Sequence, residues 1–482
     1  MVKQIKIWFW DMIRLFGRNW ITALGAALAT VSALLIIAFL ILGLLGNEET
    51  PYVGIMAFLI LPAVFVLGLL VIPVGVYWER KRAAGNPTPR DPAQIYPKID
   101  FSLPHVRRAA GLVTFLTVVN LLLLSLVTYE GVQYMDSVPF CGQVCHSVME
   151  PEYTAYIRSP HSRVKCVECH IGPGAPWFVR SKLSGVGQVL AVAFNTYNRP
   201  IPTPVENLRP SRDTCEQCHW PEKFTGDRIK VITKFADDEA NTPLKTVLLM
   251  HIGGGAQGSG GIHSWHIDPR RETRYIAADP QRQTIAWVQV RESDGTTTEY
   301  TARENPLTPE QMARAEVRVM DCIDCHNRPT HIFQHPDQGM DDALASGRID
   351  RSLPYIKKVG TAALTEARGE KSAALQMIAQ RIRTFYRENY PSLAESRRDA
   401  IEAAIGEIQA IYSRNVFPQM NLTWGTYPNN LGHERFPGCF RCHDDAHVSR
   451  DGKAIRQDCN ICHTLLAIEE KEPEVLKQLE IR

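Results

Sequence analysis

Six times along this chain a histidine directly follows the second member of a closely spaced cysteine pair, and that repeat limits what the chain can fold around. The twelve cysteines are Cys141 and Cys145, Cys166 and Cys169, Cys215 and Cys218, Cys322 and Cys325, Cys439 and Cys442, and Cys459 and Cys462. The histidines are His146, His170, His219, His326, His443 and His463. Five repeats read C-x-x-C-H and the first reads C-x-x-x-C-H. Disulfides or zinc sites need cysteine pairs but no histidine after each one. Histidine fills 15 of 482 positions, so six coincidences have a probability on the order of 10⁻⁹. C-x-x-C-H is the attachment pattern of c-type haem. Each thiol adds to a porphyrin vinyl group, and the adjacent histidine becomes the proximal iron ligand. The expected cofactors are six haem c groups. They would form much of the core of a loop-rich, haem-packed region.

Three apolar runs precede the first motif: Trp20–Gly46, Tyr52–Trp78 and Ala109–Tyr129. Each exceeds the roughly 20 residues a helix needs to cross a bilayer. Pro62 and Pro73 in the second are tolerable in a membrane helix. A cleaved signal peptide would be shorter and would not be followed by two more spans. The expectation is a three-helix transmembrane anchor over residues 1–130. Lys3, Lys6, Arg14 and Arg18 precede the first run; Glu79, Arg80, Lys81, Arg82, Arg107 and Arg108 lie between the second and third. The link holding Asn47, Glu48 and Glu49 has no Lys or Arg. The positive-inside rule then puts the N-terminus in the cytoplasm and every motif outside, on the periplasmic side of a bacterial inner membrane. Residues 5–16 read as an interfacial amphipathic helix, with simple extension of the first span as the alternative.

The outer region divides by pattern. Motifs one to three occupy 131–227. A β-rich insertion is expected over 228–310, with strands near Ile229–Phe235 and Thr284–Val290 and a hairpin turn at Ser293–Thr296. The glycine-rich Gly253–Gly261 lacks the G-K-[ST] of a phosphate loop. The fourth motif falls in 311–340. Residues 341–425 form a helical segment, with two amphipathic helices over 370–413 broken at Pro391. Motifs five and six close the chain in 426–482. Net charge is +2 with no basic stripe outside the membrane flanks, so nucleic acid is not an expected partner.

Nine histidines lie outside the motifs. His105 is on the cytoplasmic side by topology. His161, His251, His263, His266, His331, His335, His433 and His447 remain as distal iron ligands. His433 and His447 bracket the fifth motif, and His331 closely follows the fourth. At least one of His251, His263 and His266 should reach an iron. Met149, close after His146, could ligate the first. Six-coordinate irons pass electrons and do not bind substrate.

Cys141–His146 with Met149-Glu150-Pro151 and Tyr153, then Ser159-Pro160-His161 and Cys166–His170, resemble the start of the NapC/NirT/NrfH quinol dehydrogenases. Cys215–His219 and Cys322–His331 resemble that family's third and fourth motifs. The resemblance covers about 105–335. It implies that His161 and His331 are distal ligands of the third and second haems and Met149 of the first, and that Lys182 lies near a quinol site. Where the family places an acidic residue after that lysine, this chain has Val189. Three apolar runs in place of one helix, and two further haem motifs, also depart from the family. The overall plan is similar to the inner-membrane quinone-linked cytochromes of metal-respiring bacteria. The implied activity is electron transfer from a membrane quinol, of the menaquinol type, to a periplasmic cytochrome or reductase. Glu130, Tyr129 and Lys182 are candidate proton-handling groups. The alternatives are a non-catalytic conduit within a larger membrane complex and, against the absence of any C-x-x-C-K motif, a terminal reductase.

Overall fold

The computed structural model describes residues 20–44, 56, 60–84, 101–144, 146–172, 174–205, 208–220, 226–253, 260–304 and 306–481. The chain forms two compact units that divide at Val144/Cys145. The N-terminal amphipathic stretch, the link at 47–49 and most of Gly253–Gly261 lie outside the described residues.

The first unit is helical: α1 is Trp20–Leu44, α2 Leu61–Ala84 and α3 Pro104–Met135. Within them Trp20–Phe39 and Thr117–Met135 are long and apolar enough to cross a bilayer, and α2 holds a shorter apolar stretch, Leu61–Gly75. Pro73 sits inside α2. Small residues let α1 and α2 approach closely. A Cβ built on Gly25 would lie 2.8 Å from the Gly68 carbonyl oxygen, and one on Gly68 would lie 2.6 Å from the Ala29 nitrogen. Backbones packed through glycine are the usual contact where lipid removes the hydrophobic drive between helices. Val127 of α3 shares a cluster with Ile36 and Phe65.

The second unit begins with α4, His146–Tyr156, and α5, Ala175–Ala193. Strands β1 (Arg228–Phe235), β2 (Pro243–Met250), β3 (Glu272–Ala277), β4 (Ile285–Arg291), β5 (Thr297–Ala302) and β6 (Arg318–Val319) follow. Helices α6 (Pro336–Ala345), α7 (Ile356–Glu366), α8 (Lys371–Asn389) and α9 (Arg398–Asn415) come next, then β7 (His447–Ser449) and β8 (His463–Glu470). Two antiparallel sheets result, ordered β1-β2-β8 and β6-β3-β4-β5-β7. The β4–β5 hairpin turns where expected: Gly295 has φ +86°, and Asp294 accepts the Thr296 amide at 2.8 Å. Each sheet is completed by a strand from the last haem segment, β8 against β2 and β7 against β5.

Helices α6 to α9 form a module with its own core. The buried positions of α8 are Ala374, Ile378, Ala379, Ile382 and Tyr386, and those of α9 include Ile401, Ile405, Ile408 and Tyr412, one stripe on each helix. The helix break falls at Pro391, which starts a short helix, Pro391–Ser396. Module and first sheet are stitched by polar contacts. Asn241 in the β1–β2 turn donates to the Arg351 and Leu353 carbonyls and accepts the Lys357 amide. Buried Asp341 accepts the Phe235 amide and pairs with Lys357 at 2.5 Å. Ile382 is fully buried in the module. Ile382→Ala should lower stability by about 2–5 kcal/mol; thermal unfolding followed by circular dichroism checks it, and an unchanged midpoint would contradict this core.

Candidate haem centres

Motifs two to six lie on or beside short helical turns. Cys166–His170, Ser211–Cys215, Cys322–Cys325 and Cys459–Cys462 are such turns, and Gly438–Arg441 is a 3₁₀ turn. Among the described residues no cysteine is joined in a disulfide. Cys145 lies outside the described residues, as does the side chain of His146, so the first motif is described only through Cys141 in the turn Phe140–Val144. Met149 lies on α4.

The other five motif histidines each face a distal candidate. Ring centres are 6.2 Å apart for His170 and His331, 6.0 Å for His219 and His161, and 6.5 Å for His326 and His263. They are 5.9 Å apart for His443 and His266, and 6.1 Å for His463 and His433. With metal–nitrogen bonds of about 2 Å, two imidazoles on opposite sides of one ion have ring centres roughly 6 Å apart. The spacing therefore fits a metal between each pair.

Hydrogen bonding supplies a second test. A carbonyl oxygen only accepts, so a ring nitrogen facing one must carry the proton. Nδ1 of His331 donates to the Glu152 carbonyl at 2.9 Å and Nδ1 of His161 to that of Pro329 at 3.3 Å. Nδ1 of His266 donates to the Ile262 carbonyl at 2.6 Å and Nδ1 of His443 to that of Arg456 at 3.0 Å. That tautomer leaves Nε2 as the metal-binding atom, and the carbonyl fixes the ring plane. Burial also pulls the His331 pKa down to about 4, which keeps the ring neutral and able to ligate. One short turn, Ile262–His266, presents both His263 and His266. Their rings lie opposite His326 of motif four and His443 of motif five.

The motifs neighbour one another in chain order. Cys169 lies near Cys218, Cys215 is hydrogen-bonded through its thiol to Cys322, and Cys325 adjoins both Cys439 and Cys442. Cys462 in turn feels Cys439. Asp324, an interior residue of motif four, locks part of this run. Its Oδ1 accepts from the Tyr275 hydroxyl at 2.7 Å and Arg318 Nε at 2.8 Å. Its carbonyl accepts from Arg441 of motif five at 2.7 Å. Sequence reasoning missed Asp324, because an acidic residue inside C-x-x-C-H carries no signal of its own.

Three candidate histidines face other partners. His447 is buried; its Nδ1 lies 3.0 Å from both Asp444 oxygens and its Nε2 3.0 Å from the Ile285 carbonyl. His251 is held by Asp227 at 3.2 Å and Thr464 at 3.0 Å. His335 caps α6 and packs on Phe436. Glu130 and Tyr129 lie on α3 in the first unit, and Lys182 lies on α5 in the second. His105 lies on α3.

This is the architecture of a multihaem c-type cytochrome. Residues 104–201 match the family described as the NapC/NirT cytochrome c family, N-terminal region. The cytochrome c-type protein ImcH of Geobacter sulfurreducens is 45% identical over 450 residues, 93% of this chain and 88% of that protein. The cytochrome c-type protein NrfH of Wolinella succinogenes is 26% identical over 113 residues, 23% of this chain and 63% of that one. No solved structure matches. The chain belongs to the NapC/NirT family of membrane-associated, haem-binding electron-transport cytochromes c.

Because both nitrogens of His447 are engaged by protein groups, His447→Ala should cost about 1–3 kcal/mol of stability. The visible spectrum should remain low-spin; a new high-spin haem band would show that His447 is a ligand.

Proposed function

We propose that this cytochrome carries six haem c groups and moves electrons from a membrane quinol, of the menaquinol type, to a periplasmic redox partner. The anchor is read as three spans formed by α1, α2 and α3, in a bacterial inner membrane with every haem motif on the periplasmic side. The layout is anchor 1–130, motifs one to three in 131–227, a β-rich insertion in 228–310, motif four in 311–340, the helical module in 341–425 and motifs five and six in 426–482.

Supporting this reading is the facing of five motif histidines by five distal histidines at one metal-ligand spacing. We assign His331, His161, His263, His266 and His433 to motifs two to six in order, and Met149 to the first. Bound haem would supply reversible one-electron chemistry. Two histidines would be available to each of these five irons, which would leave no open position for a substrate. This favours transfer over terminal reduction. The chain-order proximity of the motif cysteines supports a continuous path.

The residues themselves hold and orient. Backbone carbonyls of Glu152, Pro329, Ile262 and Arg456 keep four imidazoles protonated at Nδ1 and aimed through Nε2. Arg328, stacked 3.8 Å from the Tyr427 ring centre, lies 3.6 Å from the buried Glu152 carboxylate. Loss of solvent raises the Glu152 pKa, and Arg328 opposes that rise. Quinol oxidation releases protons, and Lys182 and Glu130 are assigned to their handling.

Two experiments test this reading. Reconstituted protein should be reduced by a menaquinol analogue; haems that stay oxidised, in a protein that co-purifies with a fixed partner, would favour a passive conduit. His331→Ala should convert one haem from low to high spin in electron paramagnetic resonance, and an unaltered spectrum would refute that pairing.

A further inference from the structure

Helix α5 is inside out for a water-exposed domain. Val179, Leu183, Val186, Val189, Leu190 and Phe194 are all exposed, with Leu183 at 70% and Phe194 at 73%. At 3.6 residues per turn, Val179, Leu183, Val186, Leu190 and Phe194 fall within roughly 80° of arc, and Val189 borders them. The opposite side is the one that packs: Val192 adjoins the cluster of Val148, Phe417 and Tyr427. A folded domain ordinarily buries such a stripe, and one left outward marks an interaction surface.

The charges around the stripe select its occupant. No Asp or Glu occurs anywhere from 169 to 205, while Arg180 and Lys182 lie on α5. By helical rotation these two cations flank the stripe on either side. Trp177 begins the same helix, with the Arg180 guanidinium carbon 5.4 Å from its ring centre. An apolar stripe, cations at its borders and an indole at one end describe a helix that lies in a bilayer surface, with its apolar side chains among the acyl chains and its cations at anionic phosphates. A protein partner would have to match a purely apolar and cationic strip; a membrane-anchored protein already has an anionic lipid surface beside it.

We propose that α5 is a monotopic membrane-docking helix that rests in the outer leaflet through Val179, Leu183, Val186, Val189, Leu190 and Phe194. At 1.5 Å per residue its 19 residues would cover about 28 Å of the bilayer surface. Lys182, on the border of the stripe, would stand at headgroup depth, where a lipid-soluble reductant meets water. The inference rests on the membrane anchorage proposed above but does not depend on quinol being the donor.

The test uses the full haem-loaded chain in vesicles of phosphatidylcholine and phosphatidylglycerol doped with a phospholipid that carries a photoreactive group on its acyl chain. After illumination, peptide mapping should find label on residues 179–194 as well as on α1 and α3. A Leu183→Glu, Val186→Glu double variant should lose the α5 label, keep the other two and retain the haem absorbance of the parent. Label on α1 and α3 with none on α5 would overturn the proposal. So would protein-to-protein cross-links through α5, which would mean that a second copy covers the stripe. Reduction by a quinol analogue is read in the same vesicles. Label on α5 without reduction supports the docked helix and counts only against the quinol donor.

Discussion

Imidazole pairs with ring centres about 6 Å apart, four of the rings fixed through Nδ1 by a backbone carbonyl, are the constraint on which the second unit is built. Neither ring can tolerate much rotation, because Nε2 must point along a shared axis. The partners are remote in sequence: His170 faces His331, and His219 faces His161. The fold between them has to return the chain to the same place with little slack. Backbone carbonyls do the aiming in four cases. A carbonyl is a sound choice, since it cannot change protonation state and cannot exchange roles with the ring.

Around that constraint the regular elements act as braces. The sheet β6-β3-β4-β5-β7 lies under motifs four and five, and its Tyr275 reaches Asp324 directly. Asp324 is nearly fully buried; its carboxylate is satisfied by a hydroxyl and a guanidinium, and a second guanidinium donates to its carbonyl. A buried carboxylate left alone is costly, whereas one so enclosed fixes the relative placement of two motifs. The helical module contributes no motif. It holds the first sheet through Asn241 and the Asp341–Lys357 pair, and its end packs against α4 and α5 through Phe417 and Met420.

What could be read from the chain tracks how local the signal is. The C-x-x-C-H turns, the Ser293–Thr296 hairpin, the break at Pro391 and the apolar N-terminal helices are properties of short windows, and each was legible. Distal ligation is not local. His447 sits beside motif five and His266 does not, yet His266 faces His443 while His447 is enclosed by Asp444 and the Ile285 carbonyl. Proximity in sequence does not decide which ring lies opposite His443, because His447, four positions on, sits in strand β7 with its Nε2 against the Ile285 carbonyl. Strand sharing was equally hidden: nothing in His463–Glu470 says that its partner is β2. The outward stripe of α5 is a matter of exposure, which needed three dimensions.

The closing strand β8 has a consequence for biogenesis. Strand β2 pairs with β1 on one side and, on the other, with residues that begin at the last motif histidine. Until His463–Glu470 has been made and is free to pair, the β1–β2 ribbon therefore has one row of peptide groups open. An open row of that kind is a template for wrong pairing. Completion of the first sheet thus reports that the final attachment site has arrived, and a prematurely terminated chain would carry an adhesive edge by which quality-control proteases could recognise it.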